Sequence, residues 1–204
     1  MDILGKITLY NDDCMNIMRN MPDKAFDLAI VDPPYGIQIN KSGRVGHYGG
    51  HKVWDNSVPE ASYFKELFRV SRHQIIWGGN YFGLPATRSF IVWDKQQPES
   101  VSFAMCEFAW TSFDKSAKIF RMRPQNMDEI RIHPTQKPVA LYKWLLTNYA
   151  KPGDRILDTH LGSGSICIAC HDLGFEMTGI ELDRDYYEAA KKRLEKHQMQ
   201  QTLF

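Results

Sequence analysis

Leu28-Ala29-Ile30-Val31-Asp32-Pro33-Pro34-Tyr35-Gly36 is the stretch from which the other parts of the 204-residue chain can be read. Four apolar residues in a row predict a parallel strand buried on both faces. Proline has no N–H to give to a ladder, so the strand must stop at Asp32. The carboxyl edge of an open parallel sheet is where such folds bind ligands. The stretch therefore delivers a carboxylate and an aromatic ring to that edge.

These residue types suit attack by an aromatic amine, a weak nucleophile whose lone pair is delocalised into its ring. Asp32 can accept one amine N–H and the Pro33 carbonyl, freed from sheet pairing, the other. Two acceptors pull the nitrogen toward tetrahedral geometry. Pro34 fixes the backbone, and Tyr35 can stack on a base taken out of its duplex. The bland alternative is a plain strand-to-loop turn.

Elsewhere the chain alternates strands and helices. Ile7 to Tyr10 reads as a strand, and Asp12 or Asp13 can cap a helix from about Met15 to Met21. Apolar spacing over Glu60 to Ser71 predicts a helix; Gln74 to Trp77, Phe90 to Trp93 and Phe103 to Phe113 predict strands. His133-Pro134-Thr135-Gln136-Lys137-Pro138 precedes a helix containing Val139, Leu141, Leu145 and Tyr149. Thr135 and Lys137 at that helix start can hold a carboxylate. Arg155 to Asp158 predicts a strand running into Thr159-His160-Leu161-Gly162-Ser163-Gly164-Ser165 and a helix to about Leu173. The next strand, Met177 to Glu181, ends in an acid placed to accept from both hydroxyls of a ribose. A charged amphipathic helix over Asp185 to His197 closes the order.

Two segments break this pattern. Residues 38–59 carry Gly43, Gly46, Gly49 and Gly50 among Lys41, Arg44, His47, His51 and Lys52, and Asp55 is their lone acid. Residues 114–132 carry Lys115, Lys118, Arg121, Arg123 and Arg131. Long loops are usually functional or disordered. A solvated loop is the bland reading of each.

Basic and acidic residues nearly cancel, at 25 and 24. A strong nucleic-acid binder often shows a basic excess, so local patches would have to carry such binding. The length suits one sizeable α/β core, residues 1–204 as a single domain. Cys14, Cys106, Cys167 and Cys170 form no disulfide framework, and Cys167 and Cys170, three apart on a helix, are expected to pack against the sheet and not to bind metal. No signal peptide or membrane span is evident, which predicts a cytoplasmic protein.

Asp32-Pro33-Pro34-Tyr35, the His133 to Pro138 segment and the Gly162–Gly164 turn together resemble the DNA amino-methyltransferases, which methylate the amino group of adenine or cytosine with S-adenosylmethionine. The resemblance covers most of the chain outside the two irregular segments. It implies a Rossmann-like α/β fold, a mainly parallel seven-stranded sheet with helices on both faces. Its motif order is circularly permuted, with the catalytic tetrapeptide before the cofactor loop, as in the family's beta arrangement. Asp32, Pro33, Pro34 and Tyr35 are then the catalytic residues. Asp13, Asp32, Thr135, Lys137, Asp158, His160, Gly162, Ser163, Gly164 and Glu181 face the cofactor, Asp13 near its adenine and Thr135 with Lys137 at its methionine part. His160 departs from the pattern, because the family commonly has Phe there. Asp at the first position of the tetrapeptide is the choice of adenine-directed members, so adenine in DNA is the implied target, with cytosine in DNA or adenine in RNA as alternatives. A nicotinamide-dependent oxidoreductase would also suit the glycine turn and Glu181 but leaves the tetrapeptide unexplained. The two irregular segments lie outside the resemblance, and their basic side chains are the candidate DNA contacts: Lys41, Arg44, His47 and Lys52 in one and Lys115, Arg121 and Arg123 in the other. Relatives of this arrangement commonly form homodimers, and a restriction-modification pair, a solitary enzyme and a phage-borne one are all compatible with the sequence.

The first basic segment leaves directly from the tetrapeptide, and its glycines predict that it is mobile until DNA orders it. Phosphate contacts release counterions, each adding about 0.9 to the slope of log affinity against log salt. Changing Lys41, Arg44 and Lys52 together to Ala is therefore expected to weaken DNA binding and to lower that slope by about 2–3. An unchanged slope in fluorescence anisotropy titrations would hand the role to residues 114–132.

Overall fold

A computed structural model describes residues 1–37, 55, 57–100, 104–127 and 131–201. Most of the first basic segment, including Lys41, Arg44, His47 and Lys52, lies outside the described residues.

The strands are β1 (Asp2–Leu4), β2 (Ile7–Asn11), β3 (Phe26–Val31), β4 (Ser71–Trp77), β5 (Phe90–Asp94), β6 (Cys106–Thr111), β7 (Lys118–Arg121), β8 (Arg155–Asp158) and β9 (Glu176–Glu181). The helices are α1 (Cys14–Arg19), α2 (Ala61–Val70), α3 (Val139–Tyr149), α4 (Ser165–Leu173) and α5 (Arg184–Gln201). All described strands join one sheet in the order β1-β2-β9-β8-β3-β4-β6-β5-β7. From β2 through β9, β8 and β3 to β4 the pairing is parallel. β6 lies antiparallel between β4 and β5, and β7 pairs parallel with β5.

This is the expected α/β architecture, with nine strands among the described residues in place of seven. The added strands are the short edges. β1 turns back on β2 through Gly5, which has φ +63°. β7 lies inside the segment read as irregular, where Lys118 to Arg121 are mostly exposed. An edge strand of four residues with one half-buried side chain has no alternation to reveal it.

Alternation divides the two layers, since successive residues of a strand face opposite sides of a sheet. Leu28 and Ile30 of β3 pack with α3, α4 and α5, alongside Ile75, Trp77 and Ile156. Ala29 and Val31 pack with Met18 of α1 and Tyr63, Leu67 and Val70 of α2. The α2 residues recur at i, i+4 and i+7, the spacing of one helical face. Cys167 and Cys170 are fully buried in the α4 side of this core. No helix among the described residues is long and apolar enough to cross a membrane.

β3 passes through α2 to β4 on one side, whereas β8 passes through α4 to its neighbour β9 on the other. The order therefore reverses between β8 and β3, which opens a crevice at their carboxyl ends. Val31 and Asp158 end those two strands.

Just beyond β4, Gly79 lies against β6. A Cβ there would stand 2.4 Å from the Cβ of Trp110 and 3.1 Å from its backbone nitrogen. Trp110 cannot retreat easily, because its indole N–H donates to the Pro85 carbonyl at 2.7 Å. Gly79→Ala is expected to destabilise the fold by about 1–3 kcal/mol, read as a lower urea midpoint. An unchanged midpoint would mean that β6 shifts without cost.

Candidate active site

The two prolines end β3, and the chain leaves the sheet with the backbone amides of Tyr35 and Gly36 needing acceptors. Both donate to one Asp55 oxygen, each at 2.7 Å. Asp55 is buried, so the lone acid of a basic segment is a structural clamp on the tetrapeptide.

The Tyr35 ring lies on Gly78. A Cβ at Gly78 would sit 2.1 Å from Tyr35 Cε1, and Gly78 has φ +69°, so both space and backbone demand glycine. The ring stacks on Tyr81, with centroids 4.9 Å apart and planes 15° from parallel. Phe82 meets it edge-on at 6.2 Å. The Tyr35 hydroxyl donates to Asp32 Oδ1 at 2.5 Å. Burial, and then the Asp32 charge, push the Tyr35 phenol well above its ordinary range.

The other Asp32 oxygen accepts from the Lys137 ammonium. That ammonium also lies 3.0 Å from Glu107 Oε2 and over the Trp77 ring, 5.1 Å from its centroid. Glu107 is held from outside by Lys95 at 2.6 Å. Burial alone would raise the Glu107 carboxyl, but Lys137 and Lys95 outweigh it and hold it down to about 2. Lys137 thus meets the carboxylates of Asp32 and Glu107; the resemblance had set it at the methionine part of the cofactor. Thr135 is partnered locally, its hydroxyl 3.2 Å from His133 Nδ1.

Asp158 lies across the crevice and is 2% exposed. It accepts the His160 amide at 3.0 Å and forms no ion pair among the described residues. Burial, followed by the charges of Asp32 and Glu181, pushes it up to about 8 despite that hydrogen bond and Lys137. The His160 ring is held by Thr159 Oγ1 at 2.9 Å, and Thr159 in turn by the Tyr63 hydroxyl at 2.6 Å. Burial lowers the His160 imidazole to about 4, so it is neutral at ordinary pH.

The glycine turn follows. Gly162 has φ +52° and its amide donates to Glu181 Oε2 at 2.7 Å. The other Glu181 oxygen accepts from the Asp183 amide at 2.9 Å, and burial raises this carboxyl. Gly164 has φ +67°, and a Cβ there would lie 2.9 Å from the Ala190 Cβ, so the turn is pressed against α5. Ser163 faces inward, Oγ 3.1 Å from Ser165 Oγ. The His133 ring would lie 3.7 Å from a Cβ on Gly162, which sets the His133–Lys137 segment over this turn.

The fold therefore brings Asp32, Tyr35, Lys137, Asp158 and His160 to one crevice, with Gly162 and Glu181 on its flank. Asp13 follows β2 and spends one oxygen capping α1, accepting from the Met15 amide at 2.8 Å. Its neighbour Asn11 pairs in register with Glu181, so Asp13 borders the Glu181 side. Arg121 ends β7 at the same sheet edge as Asp32, paired with Asp94 at 3.4 Å, and Arg123 follows two residues later. Lys115 lies apart from these. Its ammonium donates to the Asn148 carbonyl at the far end of α3 and lies over the Phe113 and Tyr149 rings, at the opposite edge of the sheet.

Glu107, Lys95 and the role of Asp55 were not foreseen. An acid inside the β6 pattern Cys106-Glu107-Phe108-Ala109-Trp110 was the available signal for Glu107.

A DNA methylase family model matches residues 52–192. The type II methyltransferase M.HpaI of Haemophilus parainfluenzae is 23% identical over 234 residues, covering 92% of this chain and 74% of that protein. Among solved structures, an M1.HpyAVI–SAM complex aligns with TM-score 0.63 at 22% identity, covering 92% of this chain and all of that one. The cytosine-N4-specific PvuII DNA methyltransferase aligns with TM-score 0.65 at 12% identity, covering 95% and 92%.

The buried Asp158 carboxyl has a consequence for stability. With a folded value near 8 against an ordinary 3.8, it binds more protons folded than unfolded between those limits. Its contribution is full below about pH 4 and is lost as pH rises through 8. His133 and His160, both near 4 against an ordinary 6.5, act in the opposite sense, but only below about pH 6.5. The unliganded protein is expected to lose stability from pH 6.5 to 8, and Asp158→Asn to flatten that loss. Equal slopes in urea midpoints for the two proteins would show that Asp158 is ionised at neutral pH.

Proposed function

We propose, from the premise that this chain belongs to the family of DNA methylases, that it transfers a methyl group from S-adenosylmethionine to the exocyclic amine of adenine in DNA. The observation that carries the reading is the Asp32 carboxylate at the end of β3, locked by Tyr35 and Lys137 and facing the crevice beside β8.

The residues fit the cofactor. Asp158 is a buried acid lacking a cationic partner among the described residues, and the cofactor's ammonium is such a partner. Gly162 and Gly164 present bare backbone, and the Glu181 carboxylate at the end of β9 suits ribose hydroxyls. His160 and Ser163 line the turn between them. When bound, S-adenosylmethionine supplies an electrophilic methyl group.

The chain's own work is positioning and charge stabilisation. Asp32 and the Pro33 carbonyl accept the two amine protons and aim the nitrogen lone pair. The amine becomes acidic only as its new bond forms, and its proton passes to Asp32 at that moment. The Tyr35 ring offers its face to the base, a place that Tyr81 shares in the unliganded protein. Arg121 and Arg123, on the same edge of the sheet, are placed for phosphates.

Cytosine is the second reading, favoured by the likeness to the PvuII enzyme. Incubation with tritiated S-adenosylmethionine and DNA, followed by digestion to nucleosides, separates the two, with label expected in N6-methyl-2′-deoxyadenosine and not in N4-methyl-2′-deoxycytidine. Asp32→Ala is expected to lower turnover by at least about a thousandfold, in line with losing both a proton acceptor and an electrostatic contact. Cofactor affinity should stay within a few-fold by calorimetry. Turnover near that of the unaltered protein would remove Asp32 from the mechanism.

A further inference from the structure

We infer that Lys137 and Glu107 form a buried charge pair that aims the Asp32 carboxylate and sets how readily it takes a proton, which makes both of them positioning residues for methyl transfer. The inference rests on Asp32 meeting the target amine.

Lys137 is 4% exposed, and its ammonium touches two carboxylates and a Trp77 ring. Burying a cation is costly unless its counter-charges are close and well aimed. One carboxylate would have sufficed to balance it. The second matters because the reaction removes the first. As the new C–N bond forms, the C–S bond breaks and its electron pair stays on sulfur. The nitrogen then sheds a proton to Asp32, which becomes a neutral acid. Lys137 would be left as an uncompensated buried cation were Glu107 not still beside it. Lys95, 2.6 Å from Glu107 at the rim of the sheet, balances the chain Asp32–Lys137–Glu107–Lys95 to two positive and two negative charges. The geometry thus spares Asp32 for the proton.

Other groups face Asp32 from every neighbouring element. Tyr35 comes from its own loop, Tyr63 from α2, Tyr142 from α3 and Asp158 from the end of β8. Lys137 also lowers Asp158, and Glu107 raises the phenols of Tyr35 and Tyr142, but those phenols titrate far above the range followed, and saturating cofactor sets its ammonium against Asp158.

The two members of the pair act on Asp32 with opposite sign. Lys137→Met removes a cation and leaves Glu107 nearby, so a charged carboxylate at position 32 is disfavoured. Glu107→Gln removes an anion and leaves Lys137 wholly to Asp32, so the charged carboxylate is favoured. Single-turnover methyl transfer from tritiated S-adenosylmethionine to DNA, both saturating, would be followed from pH 5.5 to 9. The acid limb of the rate is expected to move up by about 1–3 pH units in Lys137→Met and down in Glu107→Gln. The plateau rate should fall about tenfold or more in each. Cofactor affinity by calorimetry should change no more than a few-fold. Lys95→Met touches Glu107 and not the buried cation. It leaves Glu107 more to Lys137 and should move the limb up by a smaller step, which decides the matter should Lys137→Met not fold.

Limbs unmoved, or moved the same way by Lys137→Met and Glu107→Gln, would overturn the inference. So would a cofactor affinity lowered more than tenfold in Lys137→Met with its limb in place, which would return Lys137 to the cofactor. Asp32→Ala distinguishes the premise. Should it stay active, the reading of Asp32 fails; should it be inactive while the limbs stay put, only the charge pair fails.

Discussion

The site depends on the end of β3. Pro33 and Pro34 cannot extend the ladder with β4 and β8, so the chain must lift away from the sheet at Asp32. That lift occurs beside the strand from which the sheet reverses its order. The carboxylates of Asp32 and Asp158 are thereby delivered from neighbouring strands into one crevice. Nearby features answer the needs this creates. Asp55 accepts the two amides stranded by the lift, and Gly78 leaves the space into which the Tyr35 ring turns.

Charge in the crevice is arranged unevenly. Asp32 has a cation against it and Asp158 has none among the described residues, although the two face each other closely enough to interact. Burial keeps Asp158 protonated at neutral pH, whereas Lys137 and Lys95 keep Glu107 ionised. Two buried acids pushed in opposite directions by their surroundings commonly mark a functional site. Here the acid beside the glycine turn awaits a positive partner, and the acid beside the tyrosine already has one. This asymmetry separates the part of the crevice suited to a cofactor from the part suited to a target amine.

Much of this was legible in the sequence wherever the signal is local. The run Leu28 to Val31 had to be a buried strand, and two prolines had to stop it. Gly162 and Gly164 marked a tight turn after a strand, and an acid closed the strand that followed. A cap at Asp12 or Asp13 was readable because a short carboxylate just before a helix meets its free amides, and the fold gave the place to Asp13. Such features follow from the covalent chemistry of single residues: a missing N–H, a missing Cβ, an apolar side chain repeated at the spacing of a strand.

The partners of these residues were decided only by the tertiary structure. Lys137 lies 105 positions from Asp32 in the chain, and its side chain could as well have turned to the cofactor. Glu107 sits in an ordinary strand pattern, and only the packing of β6 beside β4 carries it to Lys137. Neither the burial of Asp158 nor the neutral state of His160 is written in residue type, because both arise from what surrounds the group. The edge strands β1 and β7 likewise exist through the neighbours they pair with. Residue chemistry therefore determined where the backbone must turn and which groups stand at the turn. Only the fold, by fixing distances and excluding water, decided which charges meet.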